Sequence, residues 1–176
     1  MTVVLAEDDV DIRDLVQIVL EQLDLEVTAL GQHVEHRHDD AAAAVEAMSL
    51  EEKAGQVMVS FYSGTDPAPQ LAAIEELHLG GSIIMGDNVP LTADGTVDVA
   101  AMAQINKSLQ DAMFNARDWP GIISVDQEGG MVARLGAPLT EWPTPMTYGA
   151  AADETVSRDS MAAMATELAA LGFTMD

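Results

Sequence analysis

Residues 121–134 read GIISVDQEGGMVAR. Ile122, Ile123 and Val125 make a short apolar run after Pro120, the pattern of a buried strand, and the run stops at Asp126, Gln127, Glu128 and the Gly129-Gly130 pair. Polar groups therefore stand where a strand passes into a loop. In α/β folds ligands bind at that edge, because helices cover the sheet faces and only the loops beyond the strands vary freely. The same residues also fit a solvated turn whose glycines supply positive φ. From this stretch alone both readings stay open.

Outward from it, strands and helices alternate. Upstream, Met102, Ile105, Leu109 and Met113 share one face of a long helix that Asp98 can cap and that stops before Pro120. Ser82 to Met85 predict a short buried strand. Pro67 to His78, with Leu71, Ile74 and Leu77 on a helical repeat, predict a helix ended by Gly80-Gly81. Val57 to Tyr62 read as a strand, after a helix opened by the S-x-x-E capping box of Ser49 and Glu52. Downstream, a loop rich in proline (Pro138, Pro143, Pro145) leads to a helix begun by Asp153, carrying Val156, Met164, Leu168 and Leu171, and ended by Gly172. The series is an α/β fold of parallel βα units with right-handed crossovers. Methionines at helical spacing beside Leu and Ile read as core filling. Trp119 reads as packing, whereas Trp142 suits either packing or a plane on which a sugar ring stacks.

Residues 2–30 form a β-α-β pattern of their own, with Ile12, Leu15, Val16, Val19, Leu20 and Leu23 on one helix face. The opening, with Glu7-Asp8 after the first apolar run, resembles a response-regulator receiver domain, which implies two acids that help bind a divalent cation. The receiver's phosphoacceptor register falls near Leu50 to Lys53, where no strand ending in Asp occurs, so the acids read as a helix start with favourable dipole sign. His33, His36 and His38 with Asp39 and Asp40 can be drawn as a metal cluster, but the spacing suits no single helix face and no recognised zinc motif. A polar linker is the preferred reading, followed by an Ala-rich helix former. No metal site and no cofactor is expected.

The chain has 176 residues, enough for one domain with a sizeable core or a domain plus part of another, and short for a complete enzyme barrel. It contains no cysteine, which excludes disulfides, thiolate metal sites and a cysteine nucleophile. Thirty acidic residues against seven basic ones give a formal charge of −23. The basic residues are isolated in sequence, so nucleic acid is not an expected partner. No apolar run approaches the roughly 20 residues of a membrane span, and no basic, then apolar, leader opens the chain. The expectation is a soluble cytoplasmic protein without membrane contact.

Taken together, MSLEEKAGQVMVSF (48–61), IEELHLGGSIIMGDNV (74–89), AQINKSLQDAM (103–113) and PGIISVDQEGGMVARLG (120–136) resemble the N-terminal part of a family 3 glycoside hydrolase, closest in pattern to the bacterial β-N-acetylhexosaminidases. The resemblance implies a (β/α)8 TIM barrel of which about the first half is present, acting on an N-acetylglucosaminide-like carbohydrate. It makes Asp126 a ligand for sugar hydroxyls in the non-reducing-end subsite and Arg134 a second polar contact or its support. Met131 stands where the family often has arginine. The family's aspartate nucleophile and its histidine acid/base would both fall beyond Asp176. No catalytic residue is therefore assigned, and the chain is expected to be a truncated fragment without turnover. A β-glucosidase or xylosidase of the same family is a neighbouring alternative. From a different class, the alternatives are a receiver-like signalling or interaction module, or an inactive chimera of βα pieces. The expected division is 1–31 receiver-like, 32–44 linker and 45–176 hydrolase-type. Half a barrel leaves open strand edges, so self-association is expected.

Overall fold

A computed structural model describes residues 41–117 and 119–176. The receiver-like segment 1–31, its Glu7-Asp8 pair and the His33, His36, His38, Asp39 and Asp40 group lie outside the described residues. Residues 41–47 are helical, as their alanine content predicts.

From Ser49 the chain forms a unit of its own. Helix α1 spans Leu50–Gln56. Its capping box is complete: Ser49 N–H donates to Glu52 Oε2 at 2.7 Å, and Glu52 N–H donates to Ser49 Oγ at 3.1 Å. These bonds to Ser49 hold the Glu52 carboxyl below its usual range. Strand β1 is Val59–Ser60, shorter than the expected Val57 to Tyr62, because only these two residues pair with a neighbour.

Helix α2 spans Ala68–Leu77 and strand β2 spans Gly81–Ile84. The helix ends at His78, which adopts φ 54, and not at the glycine pair. Gly80 serves close approach instead: a Cβ there would lie 2.0 Å from the Gln56 carbonyl oxygen. Its N–H donates to Gly55 O at 2.8 Å, so the end of α1 meets the start of β2 backbone to backbone. Leu77, expected on the buried face of α2, is exposed, while Ile74 fills the core.

Helix α3 spans Val99–Arg117, and its cap is as expected, with Ala101 N–H donating to Asp98 Oδ1 at 3.0 Å. Met102, Ile105, Leu109 and Met113 form its buried stripe. Strand β3 is Ile122–Val125. Strands β4 (Gln127–Gly129) and β5 (Val132–Ala133) pair antiparallel, and helix α4 (Pro145–Ala151) follows in the stretch read as a proline loop. Pro145 stands in the first turn of α4, where its missing N–H would have had no helical partner. Helix α5 spans Glu154–Ala170, and Asp153 Oδ1 accepts from the N–H groups of Thr155 and Val156. Its buried residues are Met164 and Leu168, with Leu171 and Phe173 beyond its end; Val156 is exposed.

The sheet runs β1-β2-β3, all parallel, with Gly81 opposite Ile122 and Ile84 opposite Val125. Met175 extends it by a parallel bridge to Ser124, so four segments lie side by side in chain order, with the separate β4–β5 pair between the last two in sequence. Buried Ile84, Ile123 and Val125 on the strands face helix residues such as Leu109, Met113, Met164 and Leu168 in one core. Where the strands begin, Arg117 donates to the carbonyls of Leu79 and Gly80 and to Gln56 Oε1. Burial lowers the pKa of this guanidinium. Trp119 also donates to Gln56 Oε1, at 3.2 Å, in keeping with its packing role.

Candidate functional site

At the other end of the strands lie three stretches of chain. After β2 comes the turn Gly86–Asn88; after β3 comes Asp126; after the Met175 bridge comes Asp176. Asp126 stands where the apolar run of β3 has ended, so its side chain leaves the core, whereas Asn88 after β2 stays buried.

Asp126 and Arg134, the two residues singled out from sequence, are brought together. Arg134 Nη2 donates to Asp126 Oδ2 at 2.9 Å, with the two side chains 31% and 42% exposed. Among the described residues, no donor engages Asp126 Oδ1. The Arg134 stem passes over the turn after β2, since a Cβ on Gly86 would touch Arg134 Cδ at 3.9 Å. The ion pair is half-buried, so it holds one carboxylate oxygen in place while the carboxylate still meets solvent. Such a group can accept hydrogen bonds from vicinal hydroxyls.

The expected acidic turn is in fact a hairpin. Gln127 is buried, Glu128 exposed and Gly129 buried. Gln127 Oε1 accepts from the N–H groups of Arg134 (2.8 Å) and Leu135 (3.0 Å), and Gln127 Nε2 donates to Leu135 O at 2.9 Å. Gln127 N–H donates to Asp176 Oδ1 at 2.7 Å. The sequence reading passed over Gln127 and Asp176. One signal was present for Gln127: at strand period two it falls on the same side as Ile123 and Val125.

Gly129 and Gly130 have φ 90 and 61, the positive values that the turn reading required. They also press on the following loop. A Cβ at Gly129 would lie 2.3 Å from Pro143 O, one at Gly130 would lie 2.1 Å from Thr144 Cγ2, and Gly130 N–H donates to Trp142 O at 2.8 Å. Trp142 is half-buried against the core, and its indole N–H donates to Glu167 Oε2 at 3.1 Å, which fixes the plane of the ring. Met131 lies at the hairpin tip and is 97% exposed.

Tyr62, beyond β1, is buried with its hydroxyl unpartnered among the described residues. Burial, helped by Asp66 and Asp87, pushes its pKa up to about 12. Asn88 ties this loop to β2: its Oδ1 accepts from Met85 N–H, and its Nδ2 donates to the carbonyls of Tyr62 and Gly64, each at 2.8 Å. Among the described residues, no group of three or more His, Cys, Asp or Glu is placed to hold a metal ion, and no helix is long and apolar enough to cross a membrane.

Residues 49–176 match the family model described as the glycosyl hydrolase family 3 N-terminal domain. Among solved structures, a family 3 β-N-acetylglucosaminidase from a Paenibacillus species is 32% identical, with TM-score 0.65, over 73% of this chain and 23% of its own. A fungal multi-domain family 3 β-N-acetylglucosaminidase is 31% identical, with TM-score 0.64, over 72% of this chain and 14% of its own. A β-N-acetylhexosaminidase from Beutenbergia cavernae is 26% identical, with TM-score 0.60, over 72% of this chain and 36% of its own. The chain thus spans between about a seventh and about a third of the length of these relatives. No curated protein gives a significant match.

Proposed function

Since the chain belongs to glycosyl hydrolase family 3, matching its N-terminal domain over residues 49–176, we propose that it supplies the sugar-holding corner of a β-N-acetylhexosaminidase-type hydrolase. Asp126 accepts hydroxyl groups of a non-reducing-end N-acetylglucosamine unit, and Arg134 orients that carboxylate. The observation that carries this reading is the half-exposed Asp126 at the end of β3, one oxygen held by Arg134 and the other unclaimed among the described residues. Two relatives above 30% identity are β-N-acetylglucosaminidases by name, which favours this sugar over the glucoside and xyloside alternatives.

The four parallel segments are, on the same reading, the first half of a (β/α)8 barrel. Chain-order neighbours support it, because a doubly wound sheet reverses its order at a switch point whereas a barrel runs on in one direction. The hydrolase-type unit is taken as residues 45–176, with 32–44 a linker and 1–31 a receiver-like segment.

Retaining hydrolysis needs a nucleophile and a proton donor flanking one glycosidic bond. Asp126 is engaged in holding sugar, and Asp176 Oδ1 is committed to a backbone N–H, so neither is given those roles. The test is titration of the chain with N-acetylglucosamine, followed by amide NMR, beside an assay with an aryl N-acetyl-β-glucosaminide. The expected result is saturable shifts around Asp126 without release of the aryl group. Absence of binding at high millimolar sugar overturns the reading, and robust turnover by these 176 residues overturns the assignment of roles.

A further inference from the structure

The Asp126–Arg134 pair joins two side chains from different parts of a short irregular hairpin. Strand β5 contributes only Val132 and Ala133, and the pairing slips between Gln127 and Gly129. A ladder this short does not fix where Arg134 falls relative to Asp126. The atoms that do fix it belong to Gln127. Its carboxamide oxygen takes both Arg134 N–H and Leu135 N–H, and its carboxamide nitrogen gives to Leu135 O, so three backbone groups just beyond β5 are set by one side chain that is 3% exposed. Its own backbone is held by Asp176 Oδ1, from the next strand position along the sheet.

We propose that Gln127 is the positioning residue of the site: it sets the register that brings the Arg134 guanidinium onto Asp126, and Asp176 anchors it from the neighbouring strand end. Gln127 touches no sugar. It acts by placing the backbone of Arg134 within one hydrogen bond of its own amide, so that the guanidinium reaches across the strand end. This rests on the proposed sugar site for its functional consequence, but not for its geometry. The amide is needed in both senses. A carboxylate of the same shape still accepts from two N–H groups but has no hydrogen for Leu135 O, and it adds a second negative charge that competes with Asp126 for Arg134.

The experiment uses the full chain and its variants Gln127→Glu, Asp176→Ala and Asp176→Asn, with Glu128→Ala as an exposed control on the same strand. The probe is N-acetylglucosamine, and the second readout is the NMR signal of Arg134 Nε–H, an atom buried in the wild-type protein. Gln127→Glu is expected to weaken sugar binding tenfold or more and to bring Arg134 Nε–H into rapid exchange, while the core amides of α3 and β3 stay protected. Asp176→Ala is expected to weaken binding severalfold, and Asp176→Asn, which keeps the acceptor oxygen, to restore it to within twofold. Glu128→Ala should leave both readouts as in the wild type.

If Gln127→Glu binds sugar within twofold of wild type and keeps Arg134 Nε–H protected, the proposal is overturned. If Gln127→Glu does not fold, the Asp176 pair decides: equal binding and equal Nε–H exchange in Asp176→Ala and Asp176→Asn overturn it. A wild-type chain that binds no sugar, yet loses Nε–H protection in Gln127→Glu, supports the positioning role and overturns the sugar reading instead.

Discussion

Asp126 shares its negative charge with one guanidinium, and that geometry predicts separate effects on binding and stability. Asp126→Asn keeps the shape but loses the charge. Hydrogen bonds to charged groups contribute about 1.5–3 kcal/mol each, so N-acetylglucosamine binding is expected to fall at least tenfold in calorimetric or NMR titration. Half-exposed pairs contribute only about 0–1 kcal/mol to folding, so the melting temperature should move little. Tyr62 makes the opposite case, a buried hydroxyl without a partner among the described residues. Its pKa is raised to about 12 from 10.0, so the fold favours the protonated form. That contribution to stability is complete below about pH 10 and is lost as pH rises through about 12. Tyr62→Phe removes an unpartnered buried oxygen and is expected to be neutral or stabilising by about 1 kcal/mol in urea unfolding, with a weaker loss of stability at alkaline pH.

Among the elements, α3 and the β4–β5 hairpin depend on different kinds of information. Helix α3 is specified locally by its Asp98 cap and the stripe from Met102 to Met113, all readable from spacing. Asp98→Ala is expected to cost about 1 kcal/mol, and Leu109→Ala about 2–5 kcal/mol because it opens a cavity in the core, both by urea unfolding. The hairpin depends on what lies against it. Both of its glycines have positive φ, but a Cβ on Gly129 meets the Pro143 backbone carbonyl, while one on Gly130 meets a rotatable threonine methyl. Gly129→Ala should therefore lower the urea midpoint more than Gly130→Ala, since backbone cannot step aside as a side chain can. The glycine pair was legible as a turn. The hairpin it closes was not, because its ladder is only two pairs with a slip between them, and the Gln127 side chain secures the chain just beyond it at Leu135, with no run of strand-forming residues to mark it.

For the whole molecule, the exposed side of β1 matters most. Val57, Val59 and Phe61 are exposed there, and among the described residues no strand pairs with the outer edge of β1. An apolar edge that is left open recruits another strand, while a net charge of −23 opposes the approach of a second copy. Raising ionic strength shortens the reach of that repulsion to a few ångströms, so light scattering is expected to show association that grows with salt. Val59→Lys, a charge on the edge, should suppress it.

By itself the sequence determined the alternation of strands and helices, the helix caps and the place of Asp126 at a strand end. Those features arise from side-chain periodicity and from hydrogen bonds three residues apart, which any short window contains. Only the tertiary structure decided that Gly80 is a point of close approach, that Arg134 lands on Asp126, and that Gln127 holds the two together with Asp176 from 49 residues away. These depend on which backbone groups a folded sheet brings within 3 Å of one amide, and nothing in the local pattern around Gln127 carries that distance.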